Sequence, residues 1–135
     1  RGIHVPLIAN WPGTIAPGRV SDALIDFTDF LPTLLEAAGV APPAGRVLDG
    51  LSFYGQLTGT ADTTRAWAFC HYAPMWNNIP DRRYVHDHAW KLYEDGRFFD
   101  LAADPEETRA LAESELTPEA RQARTRFRAV LDQLQ

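Results

Sequence analysis

The amino-acid sequence predicts an α+β fold: a small antiparallel sheet packed on a C-terminal helix, plus an N-terminal strand-helix segment. Three observations predict this fold class. Short aromatic-rich runs between residues 66 and 101 are interrupted by the turn signal Asp95-Gly96, which is typical of a hairpin. A capped amphipathic pattern closes the chain, and such a helix must bury its apolar face against another layer. An apolar run and a second helical pattern come first in the chain.

The N-terminal segment begins with a predicted buried strand. Residues 3–10 are an apolar run of the length and composition of a strand. Pro6 lies within this run and donates no ladder hydrogen bond, so the strand is expected at a sheet edge or to begin there. Two Pro-Gly pairs follow and predict turns.

A helix is predicted next, beginning at Phe27 or Phe30 and ending at Ala38. Asp29 is placed to cap its first amides, and Pro32 falls in the first turn, where its missing N–H costs nothing. The glycine after Ala38 favours a left-handed end. One face carries the apolar side chains at helical spacing: Leu31, Leu34, Leu35 and Ala38.

The middle of the chain carries the weakest secondary-structure signals. Residues 40–50 contain two prolines and two glycines and predict an irregular surface connection. A helical turn is expected around residues 53–57, and residues 58–64 are polar and predict a loop.

The sheet is predicted from four segments. Residues 66–72, 83–86, 90–93 and 97–101 are rich in aromatic and β-branched side chains. Asp95-Gly96 predicts a two-residue turn between the last two.

The C-terminal helix begins at Thr117-Pro118-Glu119, which supplies a cap, a first-turn proline and an early acid. Its predicted apolar face consists of Leu116, Ala120, Ala123, Phe127, Val130 or Leu131, and Leu134. The small sheet is the surface on which this face is expected to pack.

Composition narrows the classes of function. The 135 residues carry a net charge of −5, the opposite of the basic balance that nucleic-acid binding requires, so no nucleic-acid partner is expected. No apolar run approaches the roughly 20 residues that span a membrane, and no membrane partner is expected. The chain opens on Arg1-Gly2-Ile3 without an initiator methionine, which predicts a portion of a longer protein.

Three groups of reactive side chains invite catalytic or metal-binding interpretations, and each has a simpler structural one. Cys70 is either a nucleophile or a buried structural cysteine; its neighbour His71 would face the other side of a strand, which favours the structural role. His86-Asp87-His88 is either a partial metal site or an exposed turn. The acids around the start of the N-terminal helix are either an acid–base pair or capping groups: Asp22, Asp26 and Asp29. No catalytic residue and no metal ligand is predicted.

The segment that begins at His71, at the end of the first predicted strand of the sheet, is the candidate for ligand contact. It places His71, Tyr72, Trp76 and Asn77 in a loop beside a sheet, where binding groups concentrate. Aromatic faces with imidazole and amide groups suit a polar ring such as a sugar or an aryl ester. The alternative is that the aromatic rings cover the edge of the core. Lys91 is a weaker candidate, and alternation places it on the face opposite its two neighbours.

Four short segments occur in a fixed order along the chain. They are Gly2-Ile3-His4-Val5-Pro6 with Trp11-Pro12-Gly13, then Asp29-Phe30-Leu31-Pro32-Thr33, then Leu48-Asp49-Gly50-Leu51-Ser52, and finally Trp90-Lys91-Leu92-Tyr93 with Phe99-Asp100-Leu101 and Asp104-Pro105-Glu106-Glu107. Together they resemble the C-terminal portion of a sulfatase, an arylsulfatase-like protein of the alkaline phosphatase superfamily. The resemblance runs from Gly2 to about Leu111.

This resemblance implies a domain organisation and a function. Residues 1–60 would be the end of the large α/β sulfatase domain, and residues 61–135 a C-terminal small-sheet subdomain with its terminal helix. The longer protein would be a hydrolase of sulfate esters. Its partners would be the remainder of the sulfatase chain and a sulfated small molecule or carbohydrate. His71, Tyr72, Trp76, Asn77 and Lys91 would then be substrate-binding residues.

The resemblance also implies that the catalytic apparatus lies elsewhere. Sulfatases use a Cys or Ser in the motif C/S-x-P/A-x-R, which is converted to formylglycine, whereas Cys70 is followed by His-Tyr-Ala-Pro. The acidic pair and the D-[NH] segment that hold the family's calcium are absent, so no cofactor is expected in this chain and calcium is expected in the full-length parent. His4 stands where the family usually has arginine. The isolated chain is therefore predicted to be inactive.

Two other functions stay open at this point. One is part of a phosphodiesterase or phosphonate hydrolase of the same superfamily, and the other is a non-enzymatic binding or oligomerisation module. A domain separated from a larger protein exposes the apolar surface that its partner covered. Self-association of this portion is therefore expected.

Overall fold

The structure, a computed structural model of the chain, describes residues 4–61, 65–75 and 80–134. Contacts divide the chain into two compact units, Gly2–Ala66 and Trp67–Gln135, called here the N-terminal unit and the C-terminal unit. Within the described ranges, none of the helices combines the length and hydropathy of a membrane-spanning segment.

The C-terminal unit contains a four-stranded antiparallel sheet. Its strands are β1 (Ala68–Tyr72), β2 (Arg82–His86), β3 (Trp90–Tyr93) and β4 (Phe98–Asp100), and they pair in chain order. Each strand therefore lies beside the one that precedes it, as a series of hairpins requires. The predicted antiparallel sheet is confirmed.

The turn between β3 and β4 differs from the prediction. The Tyr93 N–H donates to the carbonyl of Arg97, and the Gly96 N–H donates to the carbonyl of Tyr93. The loop is therefore three residues long, not two. Gly96 has φ +94°, and a three-residue hairpin loop commonly ends on a residue in this left-handed region, which glycine adopts without strain.

The C-terminal helix, α3, spans Pro118–Gln133. The Thr117 hydroxyl caps it by accepting a hydrogen bond from the Ala120 N–H. Its buried side chains are those that the sequence pattern predicts, namely Ala120, Ala123, Phe127, Val130 and Leu131. The predicted face ends there, because Leu134 follows the helix and is 43% exposed.

The sheet buries both of its faces. The helix face carries Val85, Leu92 and Phe98, which pack with α3 into one cluster. The opposite face, called here the tyrosine face, carries a second buried cluster of Tyr84, Tyr93 and Phe99. Because side chains alternate along each strand, these two clusters come from interleaved positions of the same strands.

The N-terminal unit contains two short helices, α1 (Phe30–Ala37), preceded by a single 3₁₀ turn over Phe27–Asp29, and α2 (Tyr54–Thr58). The predicted strand over residues 3–10 is wrong for its described part, since residues 4–10 are exposed and form no strand. A strand needs a neighbour for its backbone groups, and the described part of this unit contains no strand to pair with it.

The apolar side chains of α1 are largely uncovered within the described structure. Leu31 and Leu34 are 52% and 64% exposed, and Phe27 before the helix is 80% exposed. The buried residue of α1 is instead Thr33, whose hydroxyl donates to the Asp29 carbonyl and accepts from the Phe53 N–H. The predicted helix is confirmed, and it buries a polar side chain.

The residue that caps the start of this helical segment also differs from the prediction. Asp26, not Asp29, caps the 3₁₀ turn by accepting from the Thr28 N–H. Asp29 is 2% exposed and its carboxylate accepts hydrogen bonds from Arg65 and from the N–H groups of Asp26 and Leu51. Burial opposes its ionisation, but these hydrogen bonds outweigh burial and keep the pKa of Asp29 below its ordinary value.

Candidate substrate-contact site

The two described members of the predicted contact segment, His71 and Tyr72, end β1. His71 pairs with Arg83 and Tyr72 pairs with Arg82, so the two side chains project from opposite faces of the sheet. Both are exposed. The His71 Nε2 atom lies 3.9 Å from Oδ2 of Asp81. The structure therefore places both side chains in solvent but does not bring them to one surface.

Trp76 and Asn77, the other two residues of the predicted contact segment, lie outside the described residues. Their assignment as substrate contacts stays a prediction.

Lys91 lies on the tyrosine face, opposite its neighbours as predicted, and it is buried at 4% exposure. Its Nζ donates to Oε1 of Glu107 at 2.7 Å. The same ammonium sits 4.1 Å from the centroid of the Tyr84 ring and 4.7 Å from that of Tyr93. A buried cation is tolerated when it is paired in this way. The geometry favours a structural role for Lys91, and its contact with substrate stays a prediction.

Glu107 completes this arrangement; the sequence analysis placed it in a segment of family resemblance but gave it no role in the site. Its second oxygen accepts a hydrogen bond from the Tyr93 hydroxyl at 2.6 Å. Burial opposes the ionisation of Glu107, but the hydrogen bonds from Lys91 and Tyr93 outweigh it and lower its pKa. Burial and the hydrogen bond to Glu107 raise the pKa of Tyr93. Glu107 has φ +55°, a strained conformation for a residue with a side chain.

Cys70 lies on the tyrosine face and packs against the second buried cluster. Burial raises the pKa of the Tyr84 hydroxyl, and the neighbouring Cys70 side chain adds to that rise. His71 projects to the other face, as alternation predicted. The surroundings of the thiol are therefore aromatic, in keeping with a structural cysteine.

His86 ends β2, and Asp87 and His88 lie in the turn between β2 and β3. The Asp87 Oδ1 atom accepts from the N–H groups of Ala89 and Trp90, and Oδ2 accepts from Arg126. Both carboxylate oxygens of Asp87 therefore already accept hydrogen bonds within the unit. Among the described residues, no three His, Cys, Asp or Glu side chains converge in a way that could hold a metal ion.

Arg82 is the residue at this site that the sequence analysis missed. It is the exposed first residue of β2 and is directly paired with Tyr72. The available signal was the alternation of β2, which places Arg82 on the same face as the buried Tyr84. The register between β1 and β2 could not be read from the sequence, because the loop between them is long.

Comparison with known proteins gives a family match over the whole chain. The family model of N-sulphoglucosamine sulphohydrolase, C-terminal, matches residues 1–135. The chain belongs to this family. The resemblance to the C-terminal portion of a sulfatase is thereby confirmed.

Two curated proteins to which this chain is similar are sulfatases. It is 45% identical over 64 residues to N-acetylgalactosamine-6-sulfatase of Canis lupus familiaris, a match covering 47% of this chain and 12% of the relative. It is 47% identical over 58 residues to the ulvan-active sulfatase of Formosa agariphila, covering 43% of this chain and 11% of the relative. The chain thus spans only about an eighth of the length of these relatives.

A solved structure shares the fold. It is a protein in complex with its substrate D-glucosamine-2-N,6-O-disulfate, and it matches with a TM-score of 0.60 and 24% identity. The match covers 79% of this chain and 23% of that protein. It confirms the α+β fold of the sulphohydrolase C-terminal family for this chain.

Proposed function

We propose that this chain is the C-terminal portion of a sulfatase-type hydrolase that acts on sulfate esters. In this proposal the chain completes the fold and contributes to the substrate rim, while the nucleophile and the metal belong to other parts of the longer protein. The observation that carries the proposal is the family match over all 135 residues. The similarity to two named sulfatases supports it over the phosphodiesterase and the non-enzymatic alternatives.

The chemistry of the residues supports this division of roles. Hydrolysis of a sulfate ester requires an activated oxygen nucleophile and positive charge to stabilise the transferring group. The only cysteine, Cys70, lies outside a C/S-x-P/A-x-R motif and packs among tyrosines. The described residues do not fit a metal site, so calcium would be held by another part of the longer protein.

The substrate class is proposed from the relatives. Their names indicate action on sulfated N-acetylgalactosamine and on ulvan, and the solved structure carries a disulfated glucosamine. These names support a sulfated carbohydrate as the substrate here. An exposed tyrosine at the end of β1 suits the face of a sugar ring.

The partner proposed for this chain is the remainder of the sulfatase polypeptide. Exposed apolar side chains of the N-terminal unit support this, including Phe27, Leu31 and Leu34. The same surface supports self-association of the isolated chain. Light scattering over a range of concentrations tests this, and a monomer at high concentration would contradict it.

The test of function uses the full-length protein that contains this chain. Initial rates are measured on 4-nitrophenyl sulfate, bis(4-nitrophenyl) phosphate and 4-nitrophenyl phenylphosphonate. The proposal predicts that the sulfate ester has the highest kcat/KM. A preference for either phosphorus ester would reassign the chain to the rival hydrolase, and turnover of none of them would support the non-enzymatic module.

The rim assignment has its own test in the same protein. Because His71 and Tyr72 project from opposite faces, one ligand on one face would contact only one of them. His71→Ala and Tyr72→Ala are compared for KM on a sulfated saccharide. The prediction is that one variant raises KM much more than the other. Equal effects, or none, would remove both residues from the rim.

A further inference from the structure

Arg82 differs from the other basic side chains of the C-terminal unit. Most of them pair with a carboxylate, and these are Arg83, Lys91, Arg97, Arg109, Arg124 and Arg126. Among the described residues, Arg82, Arg121 and Arg128 have no such pair. Arg128 donates to the carbonyl of Glu94, and Arg121 lies on the exposed side of α3. Arg82 is therefore the cation of the sheet that has no carboxylate partner in the described structure.

The register places Arg82 beside an exposed aromatic ring. Arg82 is paired with Tyr72, and directly opposed residues of antiparallel strands have Cβ atoms about 4.5–5.5 Å apart on the same face. Tyr72 is 44% exposed. The acid next to Arg82 in the chain, Asp81, lies close to His71, which projects from the opposite face. An exposed arginine and an exposed tyrosine thus occupy paired positions at one end of the tyrosine face.

At this end of the tyrosine face, Arg82 is the basic side chain that no described carboxylate pairs with. Lys91 is neutralised by Glu107, and Arg97, whose guanidinium lies over the Tyr93 ring, is neutralised by Asp95. Arg82 acts electrostatically on the same tyrosine, since its charge lowers the pKa of Tyr93 against the larger raising effect of burial. Its charge therefore remains available to an anion from solvent.

We propose that Arg82 and Tyr72 bind an anionic substituent of a sulfated saccharide, separate from the ester that is hydrolysed. The guanidinium fork matches the paired oxygens of a sulfate or a carboxylate, and the phenol adds a hydrogen-bond donor and a ring on which a sugar can stack. This inference rests on the proposed function and adds a specificity: substrates with a second oxyanion are preferred over those with one.

The experiment measures KM in the full-length protein for two substrates. One is 4-nitrophenyl sulfate, and the other is a sulfated disaccharide with a second anionic group, prepared either as a sulfate or as a carboxylate. Arg82→Ala is expected to raise the ratio of the disaccharide KM to the aryl sulfate KM by roughly tenfold, the effect of losing one charged hydrogen-bond pair. Arg82→Lys keeps the charge without the fork and should give a smaller rise.

Arg121→Ala is the matched control, because it removes another exposed arginine of the same unit that pairs with no carboxylate among the described residues. Its KM ratio should stay at the wild-type value. Equal ratios in wild type and Arg82→Ala, with circular dichroism showing both folded, would overturn the inference while leaving the proposed function intact. If Arg82→Ala does not fold, an unchanged ratio in Arg82→Lys and Tyr72→Phe would overturn it. If the wild type hydrolyses no sulfate ester, the proposed function fails first. Comparing the two disaccharides identifies which oxyanion is bound.

Discussion

The two units of this chain are stabilised in different ways. The C-terminal unit has a continuous apolar core in which Val85, Leu92 and Phe127 are fully buried, and its sheet is covered on both faces by its own residues. In the N-terminal unit the described buried side chains are Phe53 and the polar Asp29 and Thr33. The C-terminal unit is organised by apolar packing. The N-terminal unit is organised by the hydrogen bonds to the buried Asp29 carboxylate, which are called here the polar hub.

This difference shows which part can supply its own stability. Burying apolar surface is the main favourable contribution to folding, so the C-terminal unit has what an autonomous domain needs. Hydrogen bonds to a buried carboxylate fix geometry, but their net contribution is small because the same groups are solvated when unfolded. The N-terminal unit, with its exposed leucines, is expected to gain its stability from further parts of a longer protein.

The largest expected effect is on the apolar core. Phe127→Ala removes a side chain that is 0% exposed and should cost about 3–5 kcal/mol of unfolding free energy. Denaturant unfolding followed by circular dichroism measures it, with the exposed Gln122→Ala in the same helix as the control. A loss no greater than that of the control would mean that α3 does not anchor this unit.

The polar hub should give a somewhat smaller and more local effect. Asp29→Ala removes the carboxylate that neutralises Arg65 and should cost about 3 kcal/mol, the lower end for breaking a buried ion pair. Hydrogen exchange at the Leu51 amide, which donates to Asp29, reports it directly. The exposed Asp22→Ala is the control. Unchanged protection of Leu51 would show that the hub does not organise this unit.

The buried lysine of the C-terminal unit is expected to matter less than its core. Lys91→Met leaves Glu107 without its cation, but the glutamate side chain is 21% exposed and partly solvated, so the expected cost is about 2 kcal/mol. A double-mutant cycle with Glu107→Gln measures the coupling. Additive effects of the two changes would contradict a direct stabilising pair.

Acid should weaken both units through their carboxylates. The folded-state pKa values of Asp29 and Glu107 are lowered from ordinary values of 3.8 and 4.5. Their stabilisation is therefore complete above those ordinary values and is lost as the pH falls through the lowered ones. Tm measured from pH 7 to pH 3 should fall below about pH 5. Glu107→Gln should reduce this fall in Tm. A pH profile identical to that of wild type would show that Glu107 does not contribute to it.

The smallest effect is expected from the cap of α3. Thr117→Ala deletes the hydroxyl that accepts from the Ala120 N–H and should cost about 1 kcal/mol. Thr125→Ala, at an exposed position within the same helix, is the matched control. Equal unfolding midpoints for the two variants would show that the cap does not contribute.

Local sequence patterns predicted the C-terminal unit well, because hairpins and helix caps depend on residues that are close together in the chain. They failed where stability depends on distant residues. The position of Asp29 just before the helix predicted a cap. Its carboxylate instead accepts hydrogen bonds from Leu51 and Arg65, which are 22 and 36 positions away, so local sequence did not reveal these contacts. The Lys91–Glu107 pair spans 16 positions and depends on a backbone conformation at Glu107 that no propensity indicates.

In the function proposed above, other residues of the longer protein supply the reacting groups, and this chain supports the fold and the substrate rim. The direct measurement is release of 4-nitrophenol from 4-nitrophenyl sulfate by the isolated 135-residue chain with added calcium. We predict a rate equal to that of buffer. Turnover clearly above buffer that is lost in Cys70→Ala would contradict the claim.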